Sequence, residues 1–238
     1  MMNRSAEELR MRELIVPELR KRYPAARIIH ELPLRYSTNR IDLAAITETE
    51  IISVEIKSSK DVTDRLEAQL RGFLPISRRL IVALAPKFNE QLPSKVEHRK
   101  HGGLHCTSYV TQRTEAQQII ARVDDRIEIW TVDAAAGSVE VTNGAYSQSY
   151  WPWHARMLDM LHVAELVELA TRHQIAVGKR PTHDAIVTEC ADLMTGREIE
   201  RAVCAALRAR DAFAAGTDDA IITGRVIAKP EPAQPALI

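Results

Sequence analysis

Apolar positions along the chain follow two different periods. Leu9, Leu14, Ile15 and Leu19, set among charges, predict a helix over 6–22. Pro17 falls inside it, where the missing N–H predicts a kink or a fresh start, and Pro24 closes the segment. The runs 27–34, 41–47 and 51–58 are rich in Ile, Leu or Val, lie between turn-prone residues and predict three strands. Glu48-Thr49-Glu50 is a short polar link, so the last two form a hairpin. Helical spacing returns over 61–73 with Val62, Leu66, Leu70 and Phe73, and Pro75 ends it. The continuous apolar run 80–85 suits a strand covered on both faces. A further helix and then a strand over 104–110, introduced by Gly102-Gly103, complete this part. The helix between the strands at 51–58 and 80–85 predicts a right-handed crossover between parallel neighbours.

The remaining pattern is simpler. The runs 127–132 and 138–142 flank an Ala/Gly turn and read as a hairpin that extends or caps the sheet. Trp151-Pro152-Trp153 opens a stretch of helical pattern with strong segments at 155–173 and 198–213. Thr182 and Asp184 are N-cap candidates for a helix between these two. The Pro/Ala-rich end, 216–238, predicts a loose tail. The expected fold class is α/β, a mixed central sheet flanked by helices with a C-terminal helical subdomain. The expected division is 1–113 for the core, 114–150 for a hairpin extension, 151–215 for the helical subdomain and 216–238 for the tail.

Composition narrows the class without naming a function. Of 238 residues 45% are hydrophobic and 27% charged, the balance of a soluble globular protein. The longest wholly apolar run, 80–85, is far short of the roughly 20 residues that cross a bilayer, and no signal-peptide core is visible. Cys106, Cys190 and Cys204 are too few and scattered for a disulfide framework, so a cytoplasmic location is expected. The net charge is zero, but residues 1–113 carry +6 and residues 114–238 carry −6, which favours a polyanionic partner for the first half.

Chemistry concentrates in the stretch 40–59. Alternation puts Glu55 and Lys57 on one strand face, with Val54 and Ile56 on the other, and the hairpin brings Asp42 beside Glu55. Two carboxylates on an apolar sheet repel each other, so one takes up a proton unless a cation arrives. Magnesium, with manganese as substitute, fits such a donor set: Asp42, Glu55 and the backbone carbonyl of Ile56 leave positions open for water and a phosphate oxygen. Lys57 can orient the attacking water or offset charge at the transferring phosphorus. The same V-E-I-K pattern also suits an edge strand with polar residues facing solvent.

The spacing Asp42, Glu55, Ile56, Lys57 resembles the PD-(D/E)XK nuclease superfamily, with Ile41 where the motif name has Pro. Gln69 and Phe73 on the following helix resemble the Q-x-x-x-Y motif of its RecB-like branch, with Phe for Tyr. The resemblance covers about residues 7–110. It implies a restriction-endonuclease-like core and a magnesium-dependent deoxyribonuclease that hydrolyses DNA phosphodiester bonds, in repair, recombination or mobile-element biology. It implies Asp42 and Glu55 as metal ligands, Lys57 as the catalytic lysine, and Gln69 near the metal or the DNA backbone. Arg65, one turn before Gln69, could hold a phosphate or simply face solvent. The family often adds a glutamate to the metal shell; Glu13, Glu18 and Glu31 are candidates, with Glu31 favoured on the strand leading into the hairpin. Resolvase-like members are often dimers, so a homodimer is an allowed arrangement. The rival reading is a DNA-binding or regulatory protein that keeps the scaffold and cuts nothing.

Other features carry less. His98, His101, His105 and Cys106 match no zinc spacing and read as solvated loop residues. Trp151 and Trp153 suit docking of the helical part more than base stacking. The Gly178–His183 link faintly resembles a small helical DNA-binding module, against which the acidic excess of this half argues.

Overall fold

The computed structural model describes residues 5–35, 38–90, 95–101, 104–110, 112–141, 150 and 152–210, with backbone alone over 95–101 and 104–110. Helix α1 (Ala6–Arg22) precedes three antiparallel strands, β1 (Arg27–Pro33), β2 (Arg40–Ile46) and β3 (Ile51–Lys57). Helix α2 (Leu66–Phe73) then crosses to β4 (Arg79–Leu84), which lies parallel to β3. Strands β5 (Lys95–His101) and β6 (Leu104–Val110) pair only with each other, as a separate two-stranded sheet. Helix α3 (Glu115–Val123) leads to β7 (Glu128–Asp133), parallel to β4, and β8 (Ser138–Val141) closes the sheet antiparallel to β7. The main sheet is therefore mixed and six-stranded, in the order β1-β2-β3-β4-β7-β8. Four more helices follow: α4 (His154–Leu158), α5 (Val163–Arg172), α6 (His183–Leu193) and α7 (Gly196–Ala209).

Each face of the sheet is covered. Met11, Ile15, Val16 and Leu19 of α1 pack on Ile28, Leu43, Ile52, Val54, Ile56 and Trp130. The opposite face, with Ile29, Ala44, Ile51, Leu80 and Val82, joins α2, α3 and the helices α4–α7 in one apolar cluster. The central strand β3 is buried along its whole length, as expected where parallel and antiparallel neighbours and two helical layers enclose it. No helix among the described residues is long and apolar enough to cross a membrane.

Several expectations need correction. Helix α1 runs unbroken through Pro17; α1 is held to the sheet by its apolar stripe, which outweighs the one lost backbone bond. Residues 61–65 are not helical: Asp61 turns back to accept from Ser58, and Val62 is exposed. The segment expected to be a helix before 104–110 holds β5, paired from Lys95↔Val110 to His101↔Leu104. The segment 155–173 is two helices, because Met160 and Leu161 bend into the core and α5 restarts at His162, whose N–H donates to Glu165. The expected hairpin at 127–142 extends the sheet. Thr182 does cap α6, accepting from the Ala185 N–H. The tail at 216–238 lies outside the described residues.

Candidate active site

Strands β2 and β3 keep one register from Ile46↔Ile51 to Leu43↔Val54. Continued by one residue, that register sets Asp42 opposite Glu55, and directly opposed residues share a face. The ladder opens there. The Ile56 N–H donates to Asp42 Oδ2 at 2.8 Å, so a side chain stands where a neighbouring strand's carbonyl would otherwise accept.

A matching break occurs on the other side of β2. The pairing of β1 with β2 holds on both flanks but skips Glu31 and Asp42. Glu31 has φ +56°, a left-handed conformation that disfavours an L-residue by roughly 1–2 kcal/mol. Alternation reverses at this point: Ile29 and Leu32 both face the helix-rich side, as do Ala44 and Ile41. A strained residue inside a strand signals a local requirement other than sheet pairing.

The opened strand ends form a cleft of about 300 Å³ lined by Asp42, Glu55, Ile56, Lys57, Arg65, Gln69 and Glu31, among others. Asp42, Glu55, Ile56, Lys57, Gln69, Arg65 and Glu31, all expected from the sequence, are therefore on one surface. Lys57 Nζ donates to Glu55 Oε1 at 2.8 Å and to Gln69 Oε1 at 2.9 Å, which ties β3 to α2. Glu55 and Lys57 are 1% and 6% exposed. The second oxygen of Glu55, Oε2, is buried and has no hydrogen-bond partner among the described residues. Arg65, at the start of α2, is exposed on the rim, and so is Arg40 at the start of β2.

Burial pushes the Asp42 carboxyl up to about 6, with Arg12 and the Ile56 N–H pulling it partly back. Burial also raises Glu55 well above the carboxylate range; Asp42 adds to this and Lys57 opposes it. Both carboxyls are thus held in a place that favours neutralisation, the situation a divalent cation resolves. An orphaned carboxylate oxygen beside a second carboxylate is a donor set that fits a hard ion. Among the described residues, however, no group of three or more His, Cys, Asp or Glu side chains gathers as a metal site.

Arg12 stands among these acids, with no motif of its own in the sequence. Its fully buried guanidinium holds Glu31 Oε1 at 2.8 Å and Glu8 Oε1 at 2.8 Å, so both glutamates line the cleft already engaged by a cation of the chain. Glu13 and Glu18, the other candidates, pair with Arg10 and Lys21 and do not line the cleft. Glu8, Arg12, Arg40 and Asp61 are the lining or supporting residues that were missed. The first two had a signal: a Glu and an Arg at i,i+4 on the same stripe as Ile15 and Leu19 are charges on an apolar face. The side chains of His98, His101, His105 and Cys106 lie outside the described residues, as does Trp151. Trp153 docks through its backbone, its N–H donating to the Pro75 carbonyl, while 65% of the residue stays exposed.

The fold and cleft define an α/β protein with a mixed sheet that opens on an acid–acid–lysine group at the end of two paired strands. Residues 1–101 match the family model described as Bacteriophage P4 protein cII. That span holds every residue lining the cleft and none of α3 to α7. No curated protein and no solved structure matches the chain.

Proposed function

We propose that this chain is a magnesium-dependent nuclease of the PD-(D/E)XK type, with a restriction-endonuclease-like core, that hydrolyses DNA phosphodiester bonds. The observation that carries this reading is the meeting of Asp42 and Glu55 across β2 and β3, with the Lys57 ammonium 2.8 Å from Glu55. A divalent ion bound by the two carboxylates would neutralise them, polarise the phosphodiester and lower the pKa of a bound water. Asp42, Glu55 and the Ile56 backbone would hold it. Lys57, fixed by Gln69, places a positive charge where the attacking water and the developing phosphorane charge would sit. Arg65 and Arg40 on the rim suit the phosphates on either side of the scissile one. The similarity of residues 1–101 to a phage family model supports a place in mobile-element biology.

One observation favours the rival reading, a DNA-binding or regulatory protein on this scaffold. Lys57 and Arg12 already supply counter-charges to the acids from within the chain. The two readings separate when the purified protein is incubated with linear, single-stranded and branched DNA in Mg²⁺ or Mn²⁺. A nuclease cuts at least one form, and Asp42→Asn and Lys57→Ala each lower the rate about 100-fold or more while the protein stays folded. Variants that cut as fast as the parent would remove this site from the mechanism. Salt-dependent DNA binding with no cutting and no metal uptake would establish the rival.

A further inference from the structure

We propose that the Arg12 guanidinium is a built-in cation of the cleft, holding Glu8 and Glu31 where a second divalent ion would otherwise sit and so limiting the site to one ion at Asp42 and Glu55. The inference rests on the metal-dependent reading given above and adds the number of ions and the residue that sets it.

The geometry uses all of the guanidinium. A guanidinium has five N–H groups in a fixed plane. Nε and Nη2 of Arg12 donate to Glu8 Oε1 at 3.0 and 2.8 Å, and Nη2 also donates to Glu31 Oε1 at 2.8 Å. Nη1 donates to the Asp42 carbonyl at 2.6 Å and lies 3.2 Å from His30 Nδ1. Asp42 Oδ1 stands 3.6 Å from Nη2, outside direct hydrogen-bond range. One buried side chain therefore gathers α1, β1 and β2 around the catalytic end of β2. A lysine offers a point charge and could not span these positions. Glu31 meets Arg12 from its left-handed backbone, so the strain described in β1 coincides with this contact.

Charge leads to the same place. Behind the rim residues Arg40, Asp61 and Arg65, the four acids Glu8, Glu31, Asp42 and Glu55 face Arg12 and Lys57, and with all four ionised two negative charges remain in this inner group. One divalent ion balances them. A second hard ion would need carboxylate oxygens from Glu8 or Glu31; Arg12 holds Oε1 of each, and the guanidinium itself would repel an ion placed between them. Glu31 therefore lines the cleft without serving as a ligand.

Titration of the full chain with Mn²⁺ in the absence of DNA, followed by calorimetry and by the loss of the free-ion electron paramagnetic resonance signal, tests this. The parent protein should bind one ion, and Asp42→Asn should abolish that uptake. Glu31→Gln should leave the affinity within about threefold of the parent, whereas a true ligand would cost about tenfold or more. Arg12→Gln should admit a second ion, and adding Glu31→Gln should return the count to one. Two ions in the parent, a tenfold loss in Glu31→Gln, or one ion in folded Arg12→Gln would overturn the proposal. Should Arg12→Gln not fold, the Glu31→Gln affinity decides alone. A parent that binds no ion at all overturns the metal-dependent reading itself, a result distinct from a wrong count.

Discussion

The segment from Arg12 to Ser77 and the helical layer α4–α7 are stabilised in different ways. Nine buried polar or charged residues fall in the first: Arg12, His30, Ser53, Glu55, Lys57, Ser58, Thr63, Gln69 and Ser77. In the helical layer His183 is the buried polar residue among those described, and both its ring nitrogens have partners, the Leu161 carbonyl and Asp184. The other buried side chains of that layer are apolar, with Leu166, Ile199, Val203 and Leu207 fully or almost fully covered. The sheet end instead keeps an orphaned Glu55 oxygen, two carboxyls shifted upward and a left-handed Glu31. Local rules are broken inside the sheet where it opens, whereas the left-handed residue of the helical layer, Gln174 (φ +58°), stands just past the end of α5, a common place for that conformation. Such a division is expected when chemistry is confined to one region and the other serves as support.

The largest effect should come from the supporting region. Leu207 of α7 is fully buried in the cluster that joins the helical layer to the sheet. Leu207→Ala should lower unfolding free energy by about 2–5 kcal/mol through lost burial and a residual cavity. Denaturant unfolding measures this, and Mn²⁺ affinity of the folded variant should match the parent. A change in affinity as large as that of Asp42→Asn would show that the two regions are not separable.

The second effect belongs to the cleft and has the opposite logic. The Asp42 carboxyl is pushed up to about 6 in the folded protein against 3.8 for the free group. The folded state therefore binds more protons than the unfolded state between these values. Stability of the metal-free protein is greatest below about pH 4 in this respect and falls as pH rises through about 6. The loss from this one carboxyl is at most about 3 kcal/mol. Glu55, raised by burial and by Asp42, titrates with it and extends the fall to higher pH. Thermal unfolding across pH 4–7 should show the decline, and Asp42→Asn or saturating Mn²⁺ should flatten it. A parent whose stability rises over that window would mean that burial does not raise these carboxyls as described.

The contrast also explains what the chain made legible. Strand and helix types at 27–58 and 66–84 follow from periodicity, because burial on a sheet face or a helix stripe leaves a repeating trace. Asp42, Glu55 and Lys57 follow from strand alternation and the hairpin, Gln69 from the family resemblance and Arg65 from its place one turn earlier, and the hairpin and α2 together bring them to one cleft. Arg12 was hidden because its partners Glu31 and Asp42 lie far away in sequence, and only the fold brings them together. The left-handed Glu31 leaves no sequence mark, since nothing local demands it. The break between α4 and α5 was missed for the opposite reason: Met160 and Leu161 are apolar and continue the helical pattern while the backbone turns.

The smallest effect sharpens the comparison at a position the sequence did announce. Thr182 Oγ1 accepts from the Ala185 N–H at 3.3 Å and so satisfies one of the donors left unpaired at the start of α6. Thr182→Ala should cost about 1 kcal/mol, the ordinary loss of an N-cap. Thr182→Ser should restore most of it, since the hydroxyl is what the helix end uses. The cap sits in the layer whose polar groups are already satisfied, and α6 lies outside the span matched by the phage family model. Its loss should therefore lower the unfolding midpoint and leave the proposed DNA cleavage and ion count as they were. If Thr182→Ala instead weakened DNA binding without changing stability, α6 would be part of the substrate surface, and the supporting role assigned to the helical layer would fail at that helix.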